Sequence, residues 1–181
     1  MADVQGMCQV FYENLTCSSS HLPKANFAWL VFNGKENIIM EIRKATAEDF
    51  DIVFDFIEKL WTYNTYDREE IRKVYMDVIN DERSFAFLLW DEGVCRGMCH
   101  GDYFNTFWMS GLTCYVSSLI TREEDRGKGY DVALLDHAKE LAKQRGCKAI
   151  TLDSGLPRTG AHGFYEHYGF EKSCYGFELM I

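Results

Sequence analysis

The apolar positions of this chain change their spacing from segment to segment. Phe50, Val53, Phe54, Ile57, Leu60 and Trp61 recur at i, i+3, i+4 intervals, the pattern of a helix that buries one face. Upstream, Thr46-Ala47-Glu48-Asp49 sets an acid three residues after a threonine, as in a capping box. Met40–Lys44 before it reads as a strand. Asp67–Asn80 reads as a second, more polar helix, and its two charge signs predict a solvated face. From Ser84 the period changes: Ser84–Trp90, Val94–Phe104 and Leu112–Thr121 read as strands. Asp91-Glu92-Gly93 turns the first pair into a hairpin, and the segment Thr106–Gly111 links the next. Leu134, Leu135, Ala138, Leu141 and Ala142 form one stripe of a helix over Tyr130–Arg145, which Gly146 ends. Lys148–Asp153 is then a short apolar strand. A turn with Gly155 and Pro157 leads to a helix over Thr159–Tyr168, closed by Gly169, and Phe170–Met180 returns as a strand. The expected order is β, α, α, β, β, β, α, β, α, β, a mixed α/β (α+β) class. Residues 1–39 lack this periodicity and read as an N-terminal extension of unassigned role before a domain over 40–181.

Composition narrows the picture. At 181 residues, with 47% hydrophobic and 15% aromatic residues, one domain with a real core is expected rather than disorder. No stretch reaches the ~18 apolar residues of a membrane span, and no basic-then-apolar leader is apparent. The seven cysteines are odd in number and irregular in spacing. They read as reduced core residues in a cytoplasmic protein. A net charge of −9 argues against a general nucleic-acid binder and suits an acidic cleft for a cationic substrate such as an amine.

The densest chemistry lies at Arg126-Gly127-Lys128-Gly129, between the strand-like Cys114–Thr121 and the helix opening at Tyr130. A strand, a glycine turn and a helix N-terminus form an anion cradle: the first-turn N–H groups are free and the dipole favours negative charge. Glycines let the main chain approach the ligand. The motif lacks the Lys-Ser/Thr ending of a triphosphate loop and the spacing of a dinucleotide fingerprint.

A second motif follows at Ala161-His162-Gly163-Phe164-Tyr165-Glu166-His167-Tyr168-Gly169-Phe170. With the first, and with a helix and a strand between them, it resembles the GCN5-related N-acetyltransferases over about Met40–Ile181. That family carries Arg/Gln-x-x-Gly-x-Gly/Ala and Ala-x-x-Phe-Tyr-x-x-x-Gly-Phe. The resemblance implies a mostly antiparallel twisted sheet, splayed at the cofactor strand and flanked by helices. It implies acetyl-CoA as acyl donor and an amine as acceptor. The pyrophosphate would lie on Arg126, Gly127, Lys128, Gly129, Tyr130 and Asp131, and the pantetheine arm along Leu119, Ile120 and Thr121. Amides of that arm can add to the strand as a further strand would, and an N–H near Leu119 can polarise the thioester carbonyl. Asp131 departs from the motif, which ends in Gly or Ala: its carboxylate either repels the phosphates or points away and favours the helix start.

Tyr165 matches the family tyrosine that faces the CoA sulfur, and a phenol can protonate a leaving thiolate. For the base that takes the amine proton, Asp102, Glu123, Glu124 and Asp153 remain open. Arg158 and His162 resemble a subgroup that includes the aminoalkylphosphonate acetyltransferases, where an arginine could hold the cofactor or an anionic substrate group. No metal is expected: Cys95 and Cys99 would stand ~13 Å apart along a strand, too far to share a zinc. His137 falls on the polar side of its helix, and Asn14-Leu15-Thr16 is a formal glycosylation site that a cytoplasmic chain would not use. The expected activity is direct transfer of an acetyl group to a primary amine of a small molecule. Acetylation of a protein lysine or N-terminus, and a non-catalytic CoA-binding module, are the alternatives. Nucleic acid and membrane are not expected partners, and a homodimer is compatible with the chain.

Overall fold

The computed structural model describes the backbone of residues 27–33 and 36–181, and side chains from Met40 onward. Six strands form one sheet in the order β1 (Phe27–Asn33), β2 (Glu36–Lys44), β3 (Ser84–Asp91), β4 (Val94–Thr106), β5 (Gly111–Thr121) and β6 (Ala149–Leu152). Every neighbouring pair is antiparallel except β5 and β6, which are parallel. The helices are α1 (Phe50–Leu60), α2 (Arg68–Asn80), α3 (Tyr130–Gln144) and α4 (Thr159–Tyr168). α3 is the crossover between the parallel strands, the connection that such a pair requires.

Each sheet face buries its own apolar cluster. Ala86, Leu88, Cys95 and Met98 face α1 and α2, meeting Phe50, Val53, Phe54, Phe56 and Tyr75. Phe85, Phe87, Leu89, Cys99, Cys114 and Val116 face α3, meeting Leu134, Leu135 and Ala138. The alternation along β3 is the period-two pattern of a strand covered on both sides. Cys95, Cys99 and Cys114 are buried free thiols. Burial raises all three thiol pKa values, that of Cys95 to about 11 and that of Cys114 to about 12.

Local signals act as their chemistry predicts. Asp67 caps α2 by accepting the Glu69 and Glu70 N–H groups, both at 2.9 Å. Before α1, the Asp49 carboxylate accepts the Thr46 N–H at 2.8 Å and two Arg43 guanidinium bonds at 2.7 Å. Burial alone would raise the Asp49 pKa, but the Arg43 bonds bring it below the ordinary carboxylate value.

Two expectations need revision. Phe170–Met180 forms no strand. Its Phe170 N–H closes α4 on the Tyr165 carbonyl at 2.9 Å, and Tyr175, Phe177, Leu179 and Ile181 stand exposed. Apolar alternation selects faces, but a strand also needs a partner edge, and this segment makes no ladder. His137 is not on a polar face: it is 7% exposed, with its ring edge-on to Phe87 at 4.6 Å. The helical stripe is wider than its aliphatic members suggest. Phe27–Asn33, within the segment read as an extension, pairs with β2 as an edge strand. Asn14 and the first two cysteines lie outside the described residues. No helix among the described residues is long and apolar enough to cross a membrane.

Candidate active site

The glycine turn sits where β5 hands over to α3. Gly127 and Gly129 take φ of +78° and +84°, a left-handed backbone that residues with a Cβ adopt only under strain. A Cβ at either would meet nothing within 4 Å, so the need is conformational and the surface above the turn is open. α3 begins with the Ala133 N–H bond to the Gly129 carbonyl, which leaves the N–H groups of Gly129, Tyr130 and Asp131 without intrahelical partners.

The turn's own charges are largely internal. Lys128 Nζ donates to Asp125 at 2.7 Å, and Arg96 reaches the other carboxylate oxygen at 3.3 Å. The Lys128 bond holds the buried Asp125 carboxyl below its ordinary pKa. Arg126 pairs with exposed Glu123 at 3.2 Å. The Tyr130 side chain points into the core and donates to buried Asp91 at 2.5 Å, tying the start of α3 to the end of β3. Asp131 folds back and accepts the Val132 N–H at 2.9 Å, so its carboxylate caps the helix and occupies one donor of the cradle.

β5 offers the second element. Its pairing with β6 ends where Val116 meets Leu152, yet β5 runs on to Thr121. Its other edge stays bonded to β4, with Leu119 opposite Cys99, Ile120 opposite Met98 and Thr121 opposite Gly97. Past Val116 the edge toward β6 therefore has no ladder partner among the described residues. An extended chain bearing amides fits such an edge.

α4 stands beside this gap, held to α3 by the Tyr168 hydroxyl on Asp136 at 2.6 Å. Tyr165 packs between Phe164 at 5.3 Å and Phe170 at 5.8 Å. Burial raises its pKa, and its electrostatic neighbours are Arg158, Cys99 and Asp131. Arg158 is the exposed N-cap of α4, and His162 Nε2 lies 3.1 Å from the Gly155 carbonyl.

The acids read as candidate bases separate into two groups. Glu123 and Glu124 are exposed and turn toward Arg126 and Arg122. Asp102 and Asp153 join one polar row on the α1/α2 side of the sheet, beyond the apolar cluster. Ser84 donates to Asp102 at 2.6 Å, and Tyr115 donates to Asp153 at 3.0 Å. Burial and the Asp153 bond push the Tyr115 pKa up to about 12. Between these pairs a bulge interrupts β5: His100 is opposite Ser118 and Gly101 opposite Val116, so Ser117 is the extra residue. Its Oγ lies 3.0 Å from His100 Nδ1. The sequence shows His100 only at the end of Cys95-Arg96-Gly97-Met98-Cys99-His100, whose spacing rules out a metal motif, and it does not single out Ser117, because a bulge leaves no periodic signature. A cavity of about 410 Å3, lined by Lys44, Tyr103, His137 and Arg145 among others, lies toward the other end of α3 from the glycine turn.

Among the described residues no group of three or more His, Cys, Asp or Glu could hold a metal. The family model for the acetyltransferase (GNAT) family matches residues 43–170. An N-acetyltransferase of Bacillus subtilis is 32% identical over 104 residues, 57% of this chain and 72% of that protein. An aminoalkylphosphonate N-acetyltransferase of Salmonella typhimurium is 28% identical over 143 residues, 79% and 92% of the two chains. An aminoglycoside N-acetyltransferase solved with CoA shares the fold at a TM-score of 0.70 and 12% identity, over 81% of this chain and 97% of that one. The free N–H groups at the glycine turn and the open β5 edge suit a CoA thioester. The chain therefore belongs to the GNAT family, as an acetyltransferase that uses acetyl-CoA as its acyl donor.

Proposed function

We propose that the protein acetylates a primary amine of a small, cationic molecule by direct attack on the thioester. The observation that carries this reading is the row formed by Asp102, His100–Ser117 and Tyr115–Asp153 beside the open β5 edge. Two carboxylates near a reacting carbonyl attract an ammonium group and orient its nitrogen. The N–H groups of Gly127, Gly129, Tyr130 and Asp131, with the Arg126 and Lys128 charges, would hold the pyrophosphate, and the edge of Leu119, Ile120 and Thr121 the pantetheine arm. The thioester supplies an activated acyl carbon. The Leu119 N–H would polarise its carbonyl, and Tyr165 would give its phenolic proton to the leaving sulfur.

Arg158 adds a finer point. Its guanidinium suits a phosphonate or phosphate, and a relative at 28% identity is named as acting on aminoalkylphosphonates. An acceptor with an amine at one end and an anion at the other fits both the acidic row and Arg158. The same surface is compatible with a cytoplasmic enzyme, and exposed Phe107, Trp108, Phe177 and Ile181 support self-association as a homodimer.

The test is thiol release from acetyl-CoA in the presence of diamines, aminoalkylphosphonates, aminoglycosides and lysine- or N-terminal peptides. Small amines are expected to give the highest kcat/KM. Turnover confined to peptides would assign the protein to protein acetylation instead.

A further inference from the structure

The polar row contains a hydrogen-bonded pair, His100 and Ser117, besides its acids. His100 lies on β4 opposite Ala86 of β3 and Ser118 of β5. It therefore faces the α1/α2 side, as Asp102 does two residues on. Nε2 is buried with no hydrogen-bond partner among the described residues, and Nδ1 is 3.0 Å from the half-buried Ser117 hydroxyl. Ser117 is the unpaired residue of the β5 bulge. Val116 faces α3 with Cys114, so alternation turns Ser117 to the α1/α2 side, and the bulge keeps Ser118, opposite His100, on that side as well. Bulges re-aim side chains in this way and are enriched beside active sites. The bulge lies at the residue where β5 leaves β6, which is also where the open edge begins.

We propose that Ser117 and His100 form the proton relay of the acetyl transfer, with Ser117 as the catalytic residue that touches the amine and His100 as the positioning residue that accepts the proton through it. The proposal rests on the amine-acetyltransferase reading above. The neutral nitrogen attacks the thioester carbon, and the C–N bond forms as the C–S bond breaks. The nitrogen's surplus proton passes to Ser117 Oγ while the Ser117 hydroxyl proton moves to His100 Nδ1. The Tyr165 proton goes to the sulfur, so charge balances as imidazolium and phenolate, which then exchange with solvent. This requires Nδ1 to be the acceptor and Nε2 to carry the hydrogen in the resting enzyme. His100 is neutral at pH 7 because burial lowers its pKa; Asp102 opposes that shift and would stabilise the imidazolium. Ala86 and Ser118, its cross-strand neighbours, do not titrate, and the next ionisable pair is Tyr115–Asp153.

The test measures kcat and KM against pH for the wild-type enzyme, Ser117→Ala, Ser117→Thr and His100→Gln, with the best amine from the panel and with melting temperatures and CoA affinity in parallel. The wild type is expected to lose kcat on an acid limb that lies below the ordinary histidine value of about 6.5, because burial lowers the His100 pKa. Ser117→Ala should lower kcat about 100-fold, within the span of general-base catalysis, at unchanged CoA affinity, and Ser117→Thr should recover most of it. His100→Gln should lower kcat similarly and remove the acid limb. Wild-type kcat in Ser117→Ala, or an unshifted acid limb in a folded His100→Gln, overturns the relay. A wild-type protein that turns over no amine refutes the functional reading itself, so the two failures are told apart.

Discussion

At the residue scale, three side chains carry opposite demands. In the proposed mechanism Tyr165 keeps its proton until a thiolate forms, and burial raises its pKa in that direction. Tyr165→Phe should lower kcat tenfold or more while calorimetry shows CoA binding unchanged; an undiminished rate would remove the phenol from the chemistry. Asp131 spends its carboxylate on the Val132 N–H, where it stabilises α3 but places negative charge at the proposed phosphate cradle. Asp131→Gly should tighten CoA binding by up to about tenfold, since like charges near a surface cost only a few kcal/mol; equal affinity would show that the carboxylate and the phosphates do not meet. His137 is a core histidine whose pKa burial pushes down to about 4. In the unfolded chain it titrates near 6.5, so between those values the unfolded state binds a proton that the folded state refuses. Stability should fall as pH drops from about 6.5 to 4, by about 3 kcal/mol at most. Thermal melts of His137→Leu should lose that part of the slope.

At the element scale, the proposed cofactor region is assembled from ends. β5 outruns β6, α3 begins on two left-handed glycines, and α4 leans on α3 through Tyr168 and Asp136. Much of this was legible. Gly127 and Gly129 marked the turn, Phe164-Tyr165 marked α4, and a single apolar stripe placed α3. The β5 bulge was not legible, because it depends on how β4 and β5 meet. Gly101 sits beside it: a Cβ there would lie 2.1 Å from the Tyr115 carbonyl and 2.5 Å from the Phe85 ring. Two strands and a core ring must shift to admit one methyl group, so Gly101→Ala should destabilise the fold by about 2 kcal/mol or more. Chemical denaturation measures this directly, and a loss below ~0.5 kcal/mol would mean that the backbone yields there.

At the scale of the whole molecule, the sheet separates two tasks. α1 and α2 close one face with apolar contacts and leave the acidic row beyond them; α3 and α4 close the other, and α3 opens on the glycine turn. Phe107, Trp108, Phe177 and Ile181 are exposed, and the proposed homodimer would cover them. Light scattering should give twice the 21.0 kDa chain mass, and Phe177→Glu with Ile181→Glu should return it to one copy; a monomer at the outset would end the homodimer reading. The sequence by itself determined the helices, most strands, the glycine turn and the tyrosine motif, because these depend on neighbours within a few residues. Only the tertiary structure decided that Phe170–Met180 stays unpaired, that His137 is core, and that Ser117 turns toward His100. Those outcomes depend on which edges and faces meet across 17 or more residues of chain, and no local pattern records such a meeting.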